Sequence, residues 1–366
     1  MRRSYSKASR YVLSWAAQRA DVIETEILID RGDRDVPATL VRPRFSDVPL
    51  PAWIILHGIT RPGRQHLSLL RFIRAVASTG ALVIVPEVPE WRTLSLAPAI
   101  TTPSILGAIE ALRRHPQVLG DRFGLVGFSF GAPHAVASLG VPELRDSLAG
   151  SVGFGGYANL EHTFRFLMTG RHEWQGAVHS LRPDPYGRWI VAGNYLAQTH
   201  GFEDAEDVQH ALRRLAALAG DTGAIAWDPR YDPAKVQERA ALPPSRRELF
   251  DLFAPPSDRE PDPVAGEEIA AELLATARRV EPELDVMGRL GDVRGPVHLL
   301  HGFRDHLIPF SEAYRLRDEL PDGACDSATV TRLFGHSGGD GVPSPVQMAR
   351  EVPAFVRAIA GIFGVV

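Results

Sequence analysis

The sequence predicts an α/β protein whose mostly parallel sheet carries helices on both faces and is interrupted by a helical insertion. Short apolar runs alternate with segments of helical periodicity up to about residue 156. Between about 157 and 290 the chain shows several helical patterns separated by proline-rich and charged loops. The alternation resumes from about residue 291. Because a crossover segment must connect two parallel strands, such alternation favours a parallel sheet.

The predicted strands are short apolar runs, as expected for strands that are buried on both faces. An opening hairpin comes first, with its turn at Arg31-Gly32-Asp33. A C-terminal helix is predicted from apolar residues at helical spacing between 352 and 363. The strands after the hairpin are predicted at 53–56, 81–85, 123–127, 151–154, 297–300 and 327–334.

This pattern divides the chain into a core at 22–156 and 291–366, a mostly helical cap at 157–290 and an N-terminal extension at 1–21. Of the 366 residues, 45% are apolar and 23% are charged, which is typical of a soluble globular protein. The net charge of -4 argues against nucleic-acid binding, which needs clustered cations on a basic domain. No segment reaches the ~18 apolar residues of a membrane span.

The single cysteine, Cys325, excludes an internal disulfide and a cysteine-based metal cluster. A lone thiol fits a reducing compartment, and the apolar patch that follows the basic N-terminus is too short and polar for a signal peptide. We therefore expect a cytoplasmic protein. The sequence shows no convincing metal-ligand spacing and no phosphate-cradling glycine loop after a first strand, so no cofactor is expected.

The segment Gly127-Phe128-Ser129-Phe130-Gly131 fits the G-x-S-x-G pattern, in which a nucleophilic serine sits on a strained turn between a strand and a helix. Ser129 follows a predicted buried strand, and Pro133 stands early in the predicted helix, where a missing N–H costs little. A second match at 335–339 centres on Ser337, but the glycines after it are a poor start for a helix. Ser129 is therefore the candidate nucleophile, and Ser337 is interpreted as a loop serine.

A serine hydroxyl needs a base to remove its proton, and the base needs a carboxylate to orient it. Asp305 follows the predicted strand 297–300, so it belongs to the carboxyl edge of the sheet, where the acid is expected. The alternative role for Asp305 is that of a turn residue before Pro309. His336 is the last histidine of the chain and the only one compatible with Asp305 in the order serine, acid, histidine.

Acyl transfer also needs two N–H donors for the oxyanion that develops on the substrate. One candidate is the backbone N–H of Phe130, the residue after the nucleophile. The other comes from the loop after the strand 53–56, where the candidate is Ile59 N–H with Gly58 as the reserve. Gly58 allows the backbone to turn inward at this point.

Together, strand-His57-Gly58-Ile59, the serine motif, His301-Gly302-x-x-Asp305-x-x-Ile308-Pro309 and a late Gly335-His336 resemble the α/β-hydrolase superfamily. The resemblance covers roughly 22–156 and 291–366. It implies an eight-stranded, mostly parallel sheet with a cap inserted after the sixth strand, similar to the lids of lipases and esterases. The single glycine after His57 departs from the longer glycine run of some of those subgroups.

These candidates predict hydrolysis of a carboxylic ester or related acyl bond in a small-molecule acyl substrate, through an acyl-serine intermediate. Acyl transfer to another acceptor, thioester cleavage and peptide cleavage use the same triad and remain alternatives. A hypothesis of another class is a ligand-binding protein that keeps the fold without turnover. The cap does not distinguish these possibilities from the sequence.

Overall fold

The computed structural model describes the backbone of residues 2–333 and 345–366, with side chains for 4–333 and 351–366. Eight strands form one sheet, and two more form a separate hairpin. The strands are β1 (Val22–Asp30), β2 (Asp35–Pro43), β3 (Ala52–Leu56), β4 (Leu82–Pro86), β5 (Phe123–Phe128), β6 (Leu148–Phe154), β7 (Arg171–Trp174), β8 (Ala177–Ser180), β9 (Val297–Gly302) and β10 (Cys325–Thr331).

The eight-stranded sheet has the order β1-β2-β4-β3-β5-β6-β9-β10. Strand β2 pairs antiparallel with both β1 and β4. All other neighbours in this sheet are parallel. The prediction of an eight-stranded, mostly parallel sheet is confirmed. Because the parallel strands end at the same edge, the loops after β3, β4, β5 and β9 are neighbours there.

Helices cover both faces of the sheet, as strands that are buried on both sides require. On one face α1, α2 and α14 pack over alternate strand residues such as Trp53 and Ile55. On the other face, residues such as Ile54 and Leu56 pack with α4, α5 and the helices between β6 and β9. The helices are α1 (Arg2–Ala17), α2 (Leu67–Ser78), α3 (Pro89–Arg92), α4 (Thr101–Arg113), α5 (Gly131–Ala137), α6 (Leu160–Thr169), α7 (Pro185–Tyr195), α8 (Glu206–Thr222), α9 (Asp232–Ala241), α10 (Arg247–Phe253), α11 (Pro263–Val280), α12 (Met287–Leu290), α13 (Ser311–Asp318) and α14 (Pro345–Ile362).

The segment between β6 and β9, here called the insertion, contains helices α6 to α12 and the β7–β8 hairpin. Sequence patterns indicated helices in this segment and no strong strand. The hairpin turns at Gln175 and Gly176, which both have a positive φ, of 49° and 76°. A two-residue turn of this kind matches the twist of antiparallel strands. The limits of the cap at 157 and 290 stay a prediction.

Candidate active site

Ser129 occupies the turn between the end of β5 and the start of α5. Its φ is +52°, which is uncommon for a residue with a side chain and marks local backbone strain. The Ser129 N–H donates to the Phe154 carbonyl on β6 at 2.7 Å, and its carbonyl accepts from the Ala132 N–H at 2.9 Å. These bonds hold the strained turn in place. The residue is only half-buried, at the edge of the sheet where the carboxyl ends of the strands meet.

The two glycines that flank this turn are required by close backbone contacts. A Cβ atom added to Gly127 would overlap the carbonyl of Gly131. A Cβ atom added to Gly131 would lie 2.9 Å from the His57 carbonyl oxygen, in the loop after β3. The G-x-S-x-G pattern therefore has a steric cause here: the helix after Ser129 approaches both β5 and the β3 loop too closely for side chains.

The loop after β3 runs directly beside Ser129. A Cβ atom added to Gly58 would lie 2.9 Å from the Ser129 Cβ and 3.5 Å from its Oγ. Among the backbone hydrogen bonds that the described residues form in turns, loops and caps, none has the Ile59 N–H or the Phe130 N–H as its donor. The structure thus brings Gly58 and the serine together, and the oxyanion role of Phe130, Ile59 and Gly58 stays a prediction.

Asp305 is fully buried in the loop after β9. Its Oδ1 accepts the N–H groups of Leu307 and Ile308, each at 2.9 Å. Its Oδ2 lies 3.3 Å from Nε2 of the buried His301. The carboxylate therefore closes a turn, which was the alternative interpretation of this residue, and it also belongs to a loop at the same sheet edge as Ser129. Its role as the catalytic acid stays a prediction.

The predicted base, His336, lies outside the described residues, as do Phe334 and the second motif at 335–339 with Ser337. In the sequence His336 comes after β10, which is the neighbour of β9 in the sheet. The order of elements agrees with a triad whose members follow β5, β9 and β10. The contact between His336 and the other two candidates is a prediction.

Helix α7 bridges two loops of the carboxyl edge. Just before it, the Asp184 N–H donates to the His306 carbonyl at 2.7 Å, next to Asp305. Near its other end, the Asn194 amide donates to the Leu94 carbonyl at 2.9 Å, in the segment that follows α3. An 11-residue helix is ~16 Å long, close to the ~19 Å that separates five adjacent strands. Helix α7 therefore crosses the sheet edge from the β9 side to the β4 side.

The insertion is tied to the β3 loop at a second place. Arg61 pairs with Asp221 on α8, with Nε 3.0 Å from the carboxylate Oδ1. The hydroxyl of Tyr186 on α7 is buried without a partner among the described residues, and a Cβ atom added to Gly220 would lie 3.2 Å from it. Burial raises the pKa of Tyr186 above its ordinary value, so this hydroxyl stays protonated and able to donate.

The buried carboxylate of Glu312 anchors the start of the insertion to α13. It accepts the N–H groups of Ala158 at 3.0 Å and Asn159 at 2.7 Å, and Arg315 lies 3.2 Å from its other oxygen. Burial raises the pKa of Glu312. Sequence patterns did not single out Glu312, because the two N–H groups that it accepts are more than 150 residues away in the chain.

Glu87, which directly follows β4, was also missed. Its buried side chain lies at the same sheet edge, 3.1 Å from the His57 ring in the β3 loop. One signal was available in the sequence: an acidic residue immediately after a buried apolar strand, and Asp305 likewise lies in the loop that follows β9.

Among the described side chains, no group of three or more histidines, cysteines, aspartates or glutamates is placed to hold a metal ion. Among the described residues, no helix is both long enough and apolar enough to cross a membrane. The expectations of no cofactor and of a cytoplasmic location are therefore left as predictions.

No protein-family model matches the sequence, and no curated protein matches it either. Solved structures do resemble it. An acylaminoacyl peptidase of Pyrococcus horikoshii has a TM-score of 0.50 at 12% identity, covering 93% of this chain and 42% of that chain. This chain thus spans less than half the length of that peptidase.

Two esterases match a similar share of this chain at slightly lower TM-scores. One of two fungal esterases from Rhizomucor miehei has a TM-score of 0.48 at 16% identity, covering 97% of this chain and 90% of that chain. Brefeldin A esterase, described as a bacterial homologue of human hormone sensitive lipase, has a TM-score of 0.47 at 15% identity, covering 97% of this chain and 84% of that chain.

Proposed function

Because the chain has the α/β-hydrolase fold, we propose that it is a serine hydrolase that cleaves a carboxylic ester or related acyl bond in a small molecule. One observation carries the proposal. Ser129 combines a positive φ with half-exposure at the carboxyl edge of the sheet, and the Gly58 backbone lies against it. A strained serine beside candidate N–H donors is the arrangement that acyl transfer needs.

In the proposed reaction His336 takes the proton of Ser129 as its Oγ attacks the carbonyl carbon of the substrate. The Phe130 and Ile59 N–H groups bind the oxyanion, while Asp305 orients the imidazole and stabilises its charge. The carbonyl then re-forms, the bond to the leaving group breaks, and the leaving group takes the proton from His336. Water, deprotonated by His336, attacks the acyl-serine. The bond between the acyl carbon and Ser129 Oγ then breaks, Oγ takes the proton back from His336, and the carboxylic acid leaves.

Peptide cleavage is the second candidate, because the P. horikoshii structure is an acylaminoacyl peptidase. Acyl transfer and thioester cleavage use the same covalent intermediate. In each case the acyl-serine forms in the same way, and the alternatives differ in which leaving group departs and which acceptor resolves the intermediate. A ligand-binding protein without turnover would form no such intermediate.

The nucleophile is tested by labelling with a fluorophosphonate, which reacts with an activated serine. We expect wild type to be labelled and Ser129→Ala to be unlabelled. Ser337→Ala is the matched control, since it removes the serine of the other G-x-S-x-G match, and it should remain labelled. Persistent labelling of Ser129→Ala, or its loss only in Ser337→Ala, would contradict the assignment.

The rest of the site is tested by turnover of p-nitrophenyl esters that differ in chain length, compared with p-nitroanilides. Asp305→Asn and His336→Ala should each lower kcat by about 10⁴ or more, as losing a triad member does. Hydrolysis of esters but not anilides favours the esterase, whereas cleavage of anilides as well as esters favours the peptidase. Labelling of Ser129 with no turnover of either substrate would favour acyl transfer.

A further inference from the structure

The geometry points to a buried pair, His57 and Glu87, that positions the Ile59 N–H for the oxyanion. Neither residue touches the substrate, so both are positioning residues. This inference rests on the proposed function, since it assigns a support to the oxyanion donor of that same reaction.

The hydrogen bonds of His57 determine which ring nitrogen carries a proton. The ring is almost fully buried. Its Nε2 accepts the Val88 N–H at 3.1 Å, and its Nδ1 lies 2.7 Å from the Gly58 carbonyl oxygen. Because a carbonyl oxygen can only accept, Nδ1 must carry a proton in this contact, whichever group Nε2 pairs with. His57 therefore donates to the Gly58 carbonyl.

That bond fixes the direction of the next N–H. The Gly58 carbonyl and the Ile59 N–H belong to one planar peptide unit, and no peptide bond described here is cis. In a trans peptide the two groups point in opposite directions. Holding the oxygen on the His57 ring therefore turns the Ile59 N–H away from that ring. Gly58 itself lies against Ser129, since a Cβ atom added to it would be only 2.9 Å from the Ser129 Cβ.

Glu87 secures both ends of the same loop. Its carboxylate Oε1 lies 3.1 Å from Nε2 of His57 and accepts the Arg64 N–H at 3.4 Å. The other oxygen lies 3.4 Å from Nε of Arg64 and 3.5 Å from Nη1 of Arg92. A Cβ atom on Gly63, which has a φ of +56°, would collide with this carboxylate. The loop 57–64 thus surrounds the buried side chain of Glu87, which directly follows strand β4.

The charge of Glu87 suits this role. Burial acts to raise its pKa, but the close contact with His57 and the nearby Arg92 bring the pKa below its ordinary value. A carboxylate beside Nε2 also tolerates a protonated ring, because Nε2–H then donates to Glu87 instead of accepting from Val88. In both protonation states Nδ1–H stays on the Gly58 carbonyl. The orientation of the Ile59 N–H is therefore independent of the charge on His57.

The test compares two variants of nearly equal size, His57→Asn and His57→Leu. Asparagine places an amide N–H close to the position of Nδ1, whereas leucine has no donor. We expect His57→Leu to lower kcat for p-nitrophenyl acetate by about tenfold to a hundredfold, less than the 10²–10³ lost with a whole oxyanion donor. The KM should stay near that of wild type, because the interaction forms in the transition state. His57→Asn should recover most of the lost kcat.

Inhibition by phenylboronic acid, whose adduct with Ser129 resembles the tetrahedral intermediate, should weaken in parallel with kcat. Equal kcat losses in both His57 variants, or a change in KM alone, would overturn the inference. If His57→Leu does not fold, Glu87→Gln replaces it, and a fall in kcat at constant KM supports the pair while an unchanged kcat overturns it. Turnover that survives in Ser129→Ala would instead overturn the proposed function, and the inference with it.

Discussion

At the scale of single residues, burial sets what each polar group can do. His134, five residues after Ser129, is fully buried, and its Nε2 lies 3.0 Å from the hydroxyl of Tyr157. That hydroxyl donates to the Leu284 carbonyl at 2.8 Å, so it must accept from Nε2–H. The Nδ1 atom has no partner among the described residues. A second proton would therefore have no acceptor, and burial lowers the pKa of His134 to about 3.

This predicts a specific dependence of stability on pH. Between its unfolded pKa near 6.5 and the folded value of about 3, His134 binds a proton only in the unfolded state. Its contribution to the free energy of unfolding is complete above pH 6.5 and is lost as the pH falls from 6.5 towards the folded pKa of about 3. From pH 7 to pH 5 the free energy of unfolding of wild type should fall by about 2 kcal/mol more than that of His134→Gln. Urea unfolding at both pH values measures this, and parallel losses in the two proteins would refute it.

At the scale of secondary-structure elements, helix α7 depends on contacts at both of its ends. Near its C-terminus Asn194 donates to the carbonyls of Leu94 and Ile190 at 2.9 and 2.8 Å, and it accepts the Leu96 N–H at 3.3 Å. The side chain is partly buried, so solvent replaces these bonds only in part. One amide thus connects the insertion to the loop beyond β4.

Asn194→Leu should therefore lower the free energy of unfolding by about 1–3 kcal/mol, the usual cost of leaving buried polar groups unpaired. Gln237→Leu, on the exposed face of α9, is the matched control and should change it by no more than about 0.5 kcal/mol. Chemical denaturation of both variants provides the measurement. Equal effects would show that α7 is held by its apolar contacts rather than by Asn194.

At the scale of the whole molecule, the ends of the described chain meet on one face of the sheet. The residues 1–21 were predicted as an extension, but α1 packs on α2 and α14. Tyr11 is buried there, with its ring 5.8 Å from Phe72 and 5.9 Å from Phe363. The helix therefore completes the cover of this face, which the apolar spacing of a short, basic segment did not reveal.

Removing that ring should reduce the stability of the whole protein. We expect Tyr11→Ala to lower the free energy of unfolding by about 3–5 kcal/mol, as for other large aromatic to alanine changes in a core. Leu13→Ala, whose side chain in the same helix is 69% exposed, should change it by less than about 0.5 kcal/mol. Thermal and urea unfolding compare the two. A small effect of Tyr11→Ala would mean that α1 is dispensable to the fold.

Much of the fold could be read from local sequence. Strands such as β3 and β4 are apolar and buried along their whole length, and turns need glycine, so these strands and the turn at Ser129 were predictable one segment at a time. The β7–β8 hairpin was missed because its four-residue strands are too short to establish an alternating pattern.

Local patterns in the sequence predict the sheet, the position of Ser129 on its turn, and the placement of Asp305 in the loop after β9. The contacts made across loops are visible only in the folded chain: the Glu87 side chain with the His57 ring, and the Asn194 amide with the Leu94 carbonyl. Periodicity and steric limits act between chain neighbours, whereas these polar contacts join residues that are 30 and 100 positions apart. Such pairs are selected by burial, because a buried polar group must find a partner wherever the fold brings one.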